Sequence, residues 1–210
     1  MTRQRWFLLV VGLAVFVGLS GGFVSDFTGI GKDRGNQVVL AQDLESKKIV
    51  PFVPTPQDIV ERMLELAEVK KGDVVYDLGS GDGRIVITAA KKYGVRAVGF
   101  EIDPALIKES RDNIRREGVA NLAEIREQDI LTVDLSPATV VTMYLLPEVN
   151  LMLRPTVLSQ LKPGSRVVSH DFDMGDWKPD KVLNLKDKSG WDHTVYLWRI
   201  RNQKRSQDYR

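Results

Sequence analysis

The chain has 210 residues, enough for one α/β domain with an appended segment, and hydrophobic residues make up 43% of it. It contains no cysteine, which excludes disulfide bonds, cysteine zinc ligands and a cysteine nucleophile, and its two histidines are too few to indicate a metal site. Residues 1–42 hold four basic and two acidic residues, and the tail after Trp198 holds five basic residues and one acidic residue. The rest of the chain, residues 43–198, therefore holds 21 basic and 25 acidic residues. This mildly acidic balance is unlike that of a nucleic-acid enzyme, so no nucleic-acid partner is expected.

The chain opens with an uncharged stretch from Trp6 to Ser25, preceded by Arg3 and Arg5. A helix of about 20 apolar residues crosses a hydrocarbon core of about 30 Å. We therefore predict that residues 1–25 form a single membrane anchor, with a cleaved signal peptide and export as the alternative.

The segments on either side of residues 51–200 show little helical or strand periodicity in their apolar residues. Residues 26–50 mix glycine and charge and are predicted to be a linker, whereas 51–200 carry the patterns of a folded domain. Residues 201–210 form a basic tail that is either a solvated end or a contact for anionic lipid.

Helical and strand patterns alternate from residue 51 onward, which predicts an α/β fold with a mostly parallel sheet and right-handed crossovers. Helices are predicted over 57–69, 83–94, from Asp103-Pro104 onward and over 149–160; strands are predicted over 73–78, 96–102, 122–130, 138–145 and 165–172. Two further strands, over 180–186 and 193–200, are predicted to be an antiparallel pair, with His193 in an edge strand and without a chemical role. A ligand is expected at the carboxyl ends of the parallel strands.

A glycine-rich loop, Gly79-Ser80-Gly81-Asp82-Gly83, follows a strand that ends at Asp77. A dinucleotide fingerprint places its third glycine one position later, where this chain has Arg84. Two carboxylates, Asp77 and Asp82, would each oppose a pyrophosphate at the helix N-terminus by about a kcal/mol or more. S-adenosylmethionine (SAM) carries an ammonium, a sulfonium and no phosphate, so the same carboxylates favour it.

Acidic residues at the ends of the next two strands support this interpretation. Glu101 lies 22 residues after Gly79, where an acidic side chain accepts from both ribose hydroxyls, and Ile102 follows it. Asp129 is placed to accept from the adenine amino group, with Ile130 against the ring. The loop alone is also compatible with an ordinary strand–helix turn.

Three of these segments, "DLGSGDGRI", "GFEID" and "EQDI", resemble successive motifs of class I SAM-dependent methyltransferases over residues 51–200. Together with "PFVPTP" at 51–56, they are similar to a family of small membrane-anchored protein-lysine methyltransferases, whose best-known members are mitochondrial. The resemblance implies a Rossmann-like, seven-stranded fold, SAM as cofactor and a protein lysine as acceptor. It also implies that Val53, Pro54 and Thr55 help to close the SAM pocket.

The segment after the fourth strand faces the transferred methyl group in this architecture, so Tyr144 is a candidate for the acceptor channel; a core aromatic residue is the alternative. Amide and adenine-amino methyltransferases often carry an Asn/Asp-Pro-Pro-aromatic tetrad here. The chain has Tyr-Leu-Leu-Pro at 144–147, which disfavours those acceptors. Pyrimidine C5 methylation needs a cysteine nucleophile, which the chain lacks.

The stretch "SHDFDMGDW" follows the fifth strand and is predicted to bring His170, Asp171, Phe172, Asp173 and Trp177 to the same edge of the sheet. Carboxylates and aromatic rings suit a cationic lysine side chain, which makes Asp171 the second catalytic candidate. A solvated loop with a packed tryptophan is the alternative.

These patterns favour a membrane-tethered SAM-dependent lysine methyltransferase acting on a membrane-associated protein. A methyltransferase for a small-molecule or lipid-like acceptor and a non-catalytic, membrane-tethered SAM-binding protein are the alternatives. Each flank of the apolar stretch carries two Lys or Arg residues, and the N-terminal amine tips the positive-inside rule slightly toward an internal N-terminus, which would leave the domain outside. The charge bias is marginal and SAM is made in the cytosol, so we expect the domain to face the compartment that contains SAM, the cytosol.

Overall fold

The computed structural model describes residues 52–201. Its four α-helices are α1 Gln57–Leu66, α2 Arg84–Tyr93, α3 Pro104–Arg116 and α4 Pro147–Gln160. Seven strands are β1 Val74–Leu78, β2 Arg96–Glu101, β3 Ala123–Glu127, β4 Val140–Met143, β5 Arg166–His170, β6 Lys181–Lys186 and β7 Asp192–Arg199.

The strands form one sheet in the order β3-β2-β1-β4-β5-β7-β6. The first five strands in that order are parallel, whereas β7 runs antiparallel to both β5 and β6. The predicted fold, a mostly parallel α/β sheet with a terminal antiparallel pair, is confirmed. The prediction that His193 lies in an edge strand is wrong, because β7 is inserted between β5 and β6 and the edge strand is β6.

The hydrophobic core has one cluster on each face of the sheet. On one face, α1, α2 and α3 pack through buried side chains such as Ile59, Val86 and Ile107. On the other face, α4 packs through Leu153 against a cluster that includes Trp198. Both faces are covered, which explains why the central strands consist almost entirely of buried residues.

The helix ends follow their local sequence. Asp103 caps α3 by accepting from the Ala105 amide at 2.8 Å, and proline occupies the first helical position, as the sequence predicts. Gly94 closes α2 in the left-handed conformation.

One predicted strand is shorter than its apolar pattern. We expected a strand over 122–130, but β3 ends at Glu127, and Ile130–Thr132 form a single 3₁₀ turn. The Asp129 side chain accepts from the Leu131 amide at 2.9 Å, which caps this turn and takes the chain out of the sheet.

Within residues 52–201, no helix combines the length and the apolar character needed to cross a bilayer. The predicted anchor at 1–25, the predicted linker at 26–50 and all but the first residue of the predicted tail at 201–210 lie outside the described residues.

Candidate functional site

A cavity of about 530 Å³ opens at the carboxyl ends of β1, β2 and β4. It lies where the strand order reverses, since β2 and β4 flank β1 on opposite sides, and this is where open α/β sheets bind ligands. The predicted site residues that line it are Thr55, Asp77, Gly79, Ser80, Gly81, Asp82, Glu101, Ile102, Asp129, Ile130 and Tyr144. Two predicted residues, Gly83 and Asp171, lie outside this lining.

The glycine-rich loop is held against the end of β2. The amides of Gly79 and Ser80 both donate to the Phe100 carbonyl, at 3.0 Å each. Gly81 has a φ of +54°, and a Cβ at this position would lie 2.3 Å from the Phe52 ring. The loop therefore needs glycine here, both for its backbone conformation and for the close approach of Phe52.

The Ser80 side chain packs against β2. Its hydroxyl is buried with no hydrogen-bond partner in the described residues, and a Cβ on Gly99 would come within 2.5 Å of it. Gly83 precedes α2 in the left-handed conformation, so its role is structural.

Asp77 is a buried carboxylate at the floor of the cavity. Its Oδ1 accepts from the Thr142 hydroxyl at 2.7 Å. Burial raises the pKa of Asp77 to about 7; the Thr142 hydrogen bond lowers it, and the nearby Glu101 and Asp82 charges raise it further. A cationic ligand group would relieve this cost, which fits the SAM ammonium.

Glu101 joins the loop to the turn after β2. Its Oε2 accepts from the Gly81 amide at 2.9 Å, and its Oε1 accepts from the amides of Ile102 and Asp103 at 2.9 and 3.1 Å. Three of the roughly four lone-pair positions of a carboxylate are thereby used, which leaves about one for a ligand. Glu101 can therefore order the loop and still accept from a ribose hydroxyl.

The second loop carboxylate, Asp82, is paired with a cation of the same chain. It forms an ion pair with Arg84 at 2.5 Å, and Arg84 Nη1 also donates to the Thr55 carbonyl at 2.7 Å. Sequence reasoning missed this role and treated Arg84 only as a replaced glycine. The close Asp82–Arg84 spacing was the available signal.

The far end of the cavity suits an adenine ring. Leu106 and Ile130 supply apolar lining, and Asp129 is exposed beside them with one oxygen committed to the 3₁₀ turn. A buried carboxylate, a carboxylate at the end of β2 and an apolar slot together fit the ammonium, ribose and adenine of SAM.

Tyr144 also lines the cavity, directly after β4. Its hydroxyl lies 3.5 Å from Asp171 Oδ2, and its ring centroid lies 4.0 Å from that of His170 and 6.2 Å from that of Phe172. Burial raises the pKa of Tyr144, and the Asp171 charge adds to the effect, so the hydroxyl remains protonated at neutral pH.

The residues at the end of β5 and just after it separate into two groups. His170, Asp171 and Phe172 lie around Tyr144 at the carboxyl-end edge of the sheet, and Asp173 is exposed. Trp177 does not join them: its ring packs 5.6 Å from that of Trp198, and its carbonyl accepts from the Trp198 indole, which fits the alternative of a packed tryptophan.

Two further residues were missed by sequence reasoning. Asn150 is fully buried on α4, and its amide donates to Ser169 Oγ and to the carbonyls of Phe172 and Asp173 at 3.1–3.2 Å, which holds the loop after β5. His193 lies beside His170, with 2.8 Å between His170 Nε2 and His193 Nδ1.

Comparisons with known proteins agree with this geometry. The ANTKMT methyltransferase domain family matches residues 77–181. A protein-lysine N-methyltransferase from Saccharolobus islandicus (strain REY15A) is 51% identical over 156 residues, which span 74% of this chain and 96% of that protein. A mouse adenine nucleotide translocase lysine N-methyltransferase is 34% identical over 148 residues, which span 70% of this chain and 64% of that protein.

The crystal structure of an RNA methyltransferase from Salinibacter ruber in complex with S-adenosyl-L-homocysteine is also similar. Its sequence is 57% identical to this one. The match covers 72% of this chain and 95% of that chain, with a TM-score of 0.67. This likeness and the fit of the cavity identify SAM as the cofactor. The chain therefore belongs to the ANTKMT methyltransferase domain family and is a class I SAM-dependent methyltransferase.

Proposed function

We propose that this methyltransferase acts on the Nε of a lysine side chain in a protein, and that the protein is membrane-associated. The observation that carries the lysine acceptor is the pairing of Tyr144 with Asp171 beside the cavity. The Asp171 Oδ1 accepts from the Thr194 amide at 2.8 Å, whereas its Oδ2 faces the Tyr144 hydroxyl. A carboxylate oxygen among aromatic rings is a suitable contact for an ammonium group.

The chemistry requires an uncharged amine. SAM supplies a methyl group on a sulfonium; the amine nitrogen forms the new N–C bond while the C–S bond breaks and its electron pair remains on sulfur. The chain's own residues align the amine and exclude water. Tyr144 can orient the amine through its hydroxyl, and Asp171 can hold the ammonium before its proton leaves.

Two sets of observations support the protein lysine over other acceptors and a membrane-associated target over a soluble one. The Saccharolobus islandicus and mouse relatives are both named as lysine N-methyltransferases. The membrane-associated target is supported by the uncharged stretch at 6–25, which would hold the domain near a bilayer.

RNA is the competing acceptor, because the Salinibacter ruber structure is described as an RNA methyltransferase. The charge of this chain disfavours RNA. Residues 43–198 are net acidic, and an RNA phosphate at the acceptor side would meet Asp171 and the exposed Asp173. We therefore favour the lysine.

Transfer of label from SAM decides between these acceptors. The full chain is incubated with tritium-labelled SAM and, separately, with membranes, soluble protein and total RNA from the expression host. We expect label in membrane protein, recovered as methyl-lysine after acid hydrolysis, and none with the Gly81→Val variant. Label in RNA that resists protease would contradict the proposal, and label in lipid would favour the lipid-like acceptor.

We further propose that the domain faces the SAM-containing cytosol. The support is the assembled cofactor cavity, which has no use in a compartment without SAM. A reporter fused after Arg210 tests the location: a cytosol-active reporter should be functional there, and activity of a periplasm-active reporter would contradict it.

A further inference from the structure

The outer face of α4 is apolar. Of the four helices that the structure describes, α4 is the one whose exposed positions hold large apolar side chains: Leu151 is 47% and Met152 is 54% exposed. The exposed Glu148 and Pro155 lie on the same face, because residues three and four apart are neighbours on a helix. The inner face packs into the core through Leu153. A helix that is apolar on both faces is typical of one that is covered on both.

This outer face adjoins the acceptor side of the cavity. The helix begins at Pro147, three residues after Tyr144, so its first turns lie at the carboxyl-end edge of the sheet. The Phe172 ring lies 6.2 Å from the Tyr144 ring and belongs to the loop at 171–176, where Asn150 of α4 donates to two carbonyls. A protein segment with its lysine beside Tyr144 therefore has this loop and the first turns of α4 as neighbours.

The loop and the helix form one continuous surface. A Cβ on Gly175 would lie 2.9 Å from Leu151 Cδ2, so Leu151 rests directly on this glycine. Arg154 Nη1 donates to the Met174 carbonyl at 3.1 Å and forms an ion pair with Asp176. These contacts hold Leu151 against the loop. We refer to the exposed residues of this region as the α4 surface, which consists of Glu148, Leu151, Met152, Asp173 and Gly175.

The apolar part of the α4 surface is bordered by negative charge. The helix and the loop contain one basic residue, Arg154, and four carboxylates, those of Glu148, Asp171, Asp173 and Asp176. Arg154 is engaged by Asp176. Within residues 52–201, no ion pair joins Glu148 or Asp173 to a cation. The charge therefore favours a partner that is both apolar and basic.

We propose that the α4 surface binds the substrate segment next to the acceptor lysine, an inference that rests on the proposed lysine acceptor. The segment places apolar side chains on Leu151 and Met152 and a second Lys or Arg beside Glu148 or Asp173. Leu151 lies about 6 Å along the helix axis from Pro147, which about two residues of extended chain cover, so the recognised residues lie about two to four positions from the lysine.

This composition agrees with a membrane-associated target. Where a chain leaves a bilayer on its cytoplasmic side, apolar side chains give way to Lys and Arg within a few residues. Such a border supplies the apolar contact for Met152 and the positive charge for Glu148 in one short segment. The α4 surface thereby selects the sequence around the lysine, whereas Tyr144 and Asp171 contact the lysine itself.

A bilayer surface and a second copy of this chain are the competing occupants. Lipid phosphates would meet the carboxylates of Glu148 and Asp173, which opposes a bilayer. In a two-fold dimer, the same patch faces itself, so these carboxylates would also meet like charges. A basic and apolar protein segment avoids both costs.

Methyl-lysine formation in membrane protein from the expression host, followed with labelled SAM, tests recognition of whole substrates. Met152→Ser should lower the rate at limiting protein by about 5- to 10-fold, because the apolar contact is lost. Val182→Ser also removes a half-exposed apolar side chain, near the start of β6, and is the matched control that should keep the wild-type rate. SAM affinity, measured by calorimetry, should be unchanged in both variants.

Equal rates for Met152→Ser and wild type would overturn the inference and leave the proposed function intact. A wild-type chain that forms no methyl-lysine would instead contradict the proposed function, and a binding measurement that needs no methyl transfer then decides what the α4 surface holds.

The binding measurement uses three fluorescent peptides, titrated with the full chain and S-adenosyl-L-homocysteine. The first has a central lysine, leucines three and four residues after it and an arginine two residues after it; the second replaces the leucines by serine, and the third replaces the arginine by glutamate. We expect the first to bind about 10-fold more tightly than either of the others. Met152→Ser should abolish the preference for leucine, and Glu148→Gln should reduce the preference for arginine.

Equal binding of the three peptides, or a leucine preference that persists in Met152→Ser, would overturn the inference. Two further results would assign the α4 surface to another occupant and overturn it as well. One is binding to phosphatidylcholine vesicles that Met152→Ser weakens relative to Val182→Ser. The other is a concentration-dependent dimer of the full chain that Met152→Ser abolishes.

Discussion

The two ends of the sheet each contain a buried carboxylate, and the surroundings shift the pKa values of the two in opposite directions. At the amino end, Asp73 is paired with Arg166 at 2.5 Å and also accepts from the Thr139 hydroxyl and the Lys70 amide. Burial would raise the pKa of Asp73, but these partners bring it below its usual value. At the carboxyl end, Asp77 has the Thr142 hydroxyl as its side-chain partner, and its pKa rises to about 7.

The Asp73 charge stabilises the fold, whereas the Asp77 charge is available to bind a ligand. The Asp73 carboxylate is satisfied by groups within the chain, so its removal from water is compensated on folding. The Asp77 carboxylate is left undercompensated, and the SAM ammonium is the group that completes it. The same residue type at the two ends of β1 should therefore respond to mutation with opposite signs.

The largest effect is expected at the amino end. Arg166→Met leaves Asp73 buried without its cation and should lower the free energy of unfolding by about 3–5 kcal/mol in urea titrations. The SAM affinity of the folded protein should not change. Arg96→Met removes an exposed pair with Glu124 and is the matched control, with an expected loss below about 1 kcal/mol. If the free energy of unfolding fell equally in the two variants, the buried pair would contribute no more to stability than the exposed pair.

Within the cofactor loop, Gly81→Val should weaken SAM binding by about 1–3 kcal/mol, measured by calorimetry, because its side chain would collide with Phe52 and strain the backbone. Gly118→Val has the same backbone problem, with a φ of +70°, but open space around its Cβ. It should lose stability and keep SAM affinity. Normal SAM binding by Gly81→Val would place the pocket elsewhere.

Asp77→Asn should strengthen the fold and weaken the function. Because folding raises the pKa of Asp77 to about 7, ionisation opposes folding: wild-type stability should fall as pH rises from about 4 to 7 and then level off. The variant lacks this loss and should be about 1–3 kcal/mol more stable at pH 8, equal to wild type near pH 4, and impaired in SAM binding. Lower stability of the variant at pH 8 would contradict the assignment.

The smallest effect sharpens the role of the Thr142 hydroxyl. Thr142→Val keeps the shape but removes the hydrogen bond to Asp77, so the pKa of Asp77 should rise above its wild-type value. SAM affinity at pH 7 should fall by about 1 kcal/mol and recover at pH 9. A deficit that persists at pH 9 would show that the hydroxyl acts on packing and not on this charge.

The parts of the site that sequence reasoning reached are local in the chain. The strand that ends at Asp77, the glycine loop and Glu101 each follow from periodicity, charge and spacing within about 25 residues. Parallel strands then bring these segments to one edge without any further information. The Asp103 cap was predicted for the same reason.

The parts that sequence reasoning missed depend on contacts between distant segments. The Arg84 bond to the Thr55 carbonyl joins residues 29 apart, and nothing in either segment indicates the other. His193 was assigned to an edge strand because an antiparallel pair can add to a sheet in either order, and the pattern of β6 and β7 does not reveal which strand pairs with β5. Trp177 is close in sequence to the site residues, but its ring packs against Trp198 and therefore does not lie beside Tyr144.

The insertion of β7 beside β5 has a consequence for how freely the chain can vary at this edge of the sheet. In a wholly parallel sheet, every loop at this edge is tied to a crossover helix, and altering it disturbs packing on a whole face. Here the β6–β7 turn at 187–191 reaches the same edge as a hairpin, with Trp191 exposed at 73%. None of residues 187–191 lines the cofactor cavity. Residues can therefore be added or exchanged at the tip of this turn while the strands keep their register and the cavity keeps its lining.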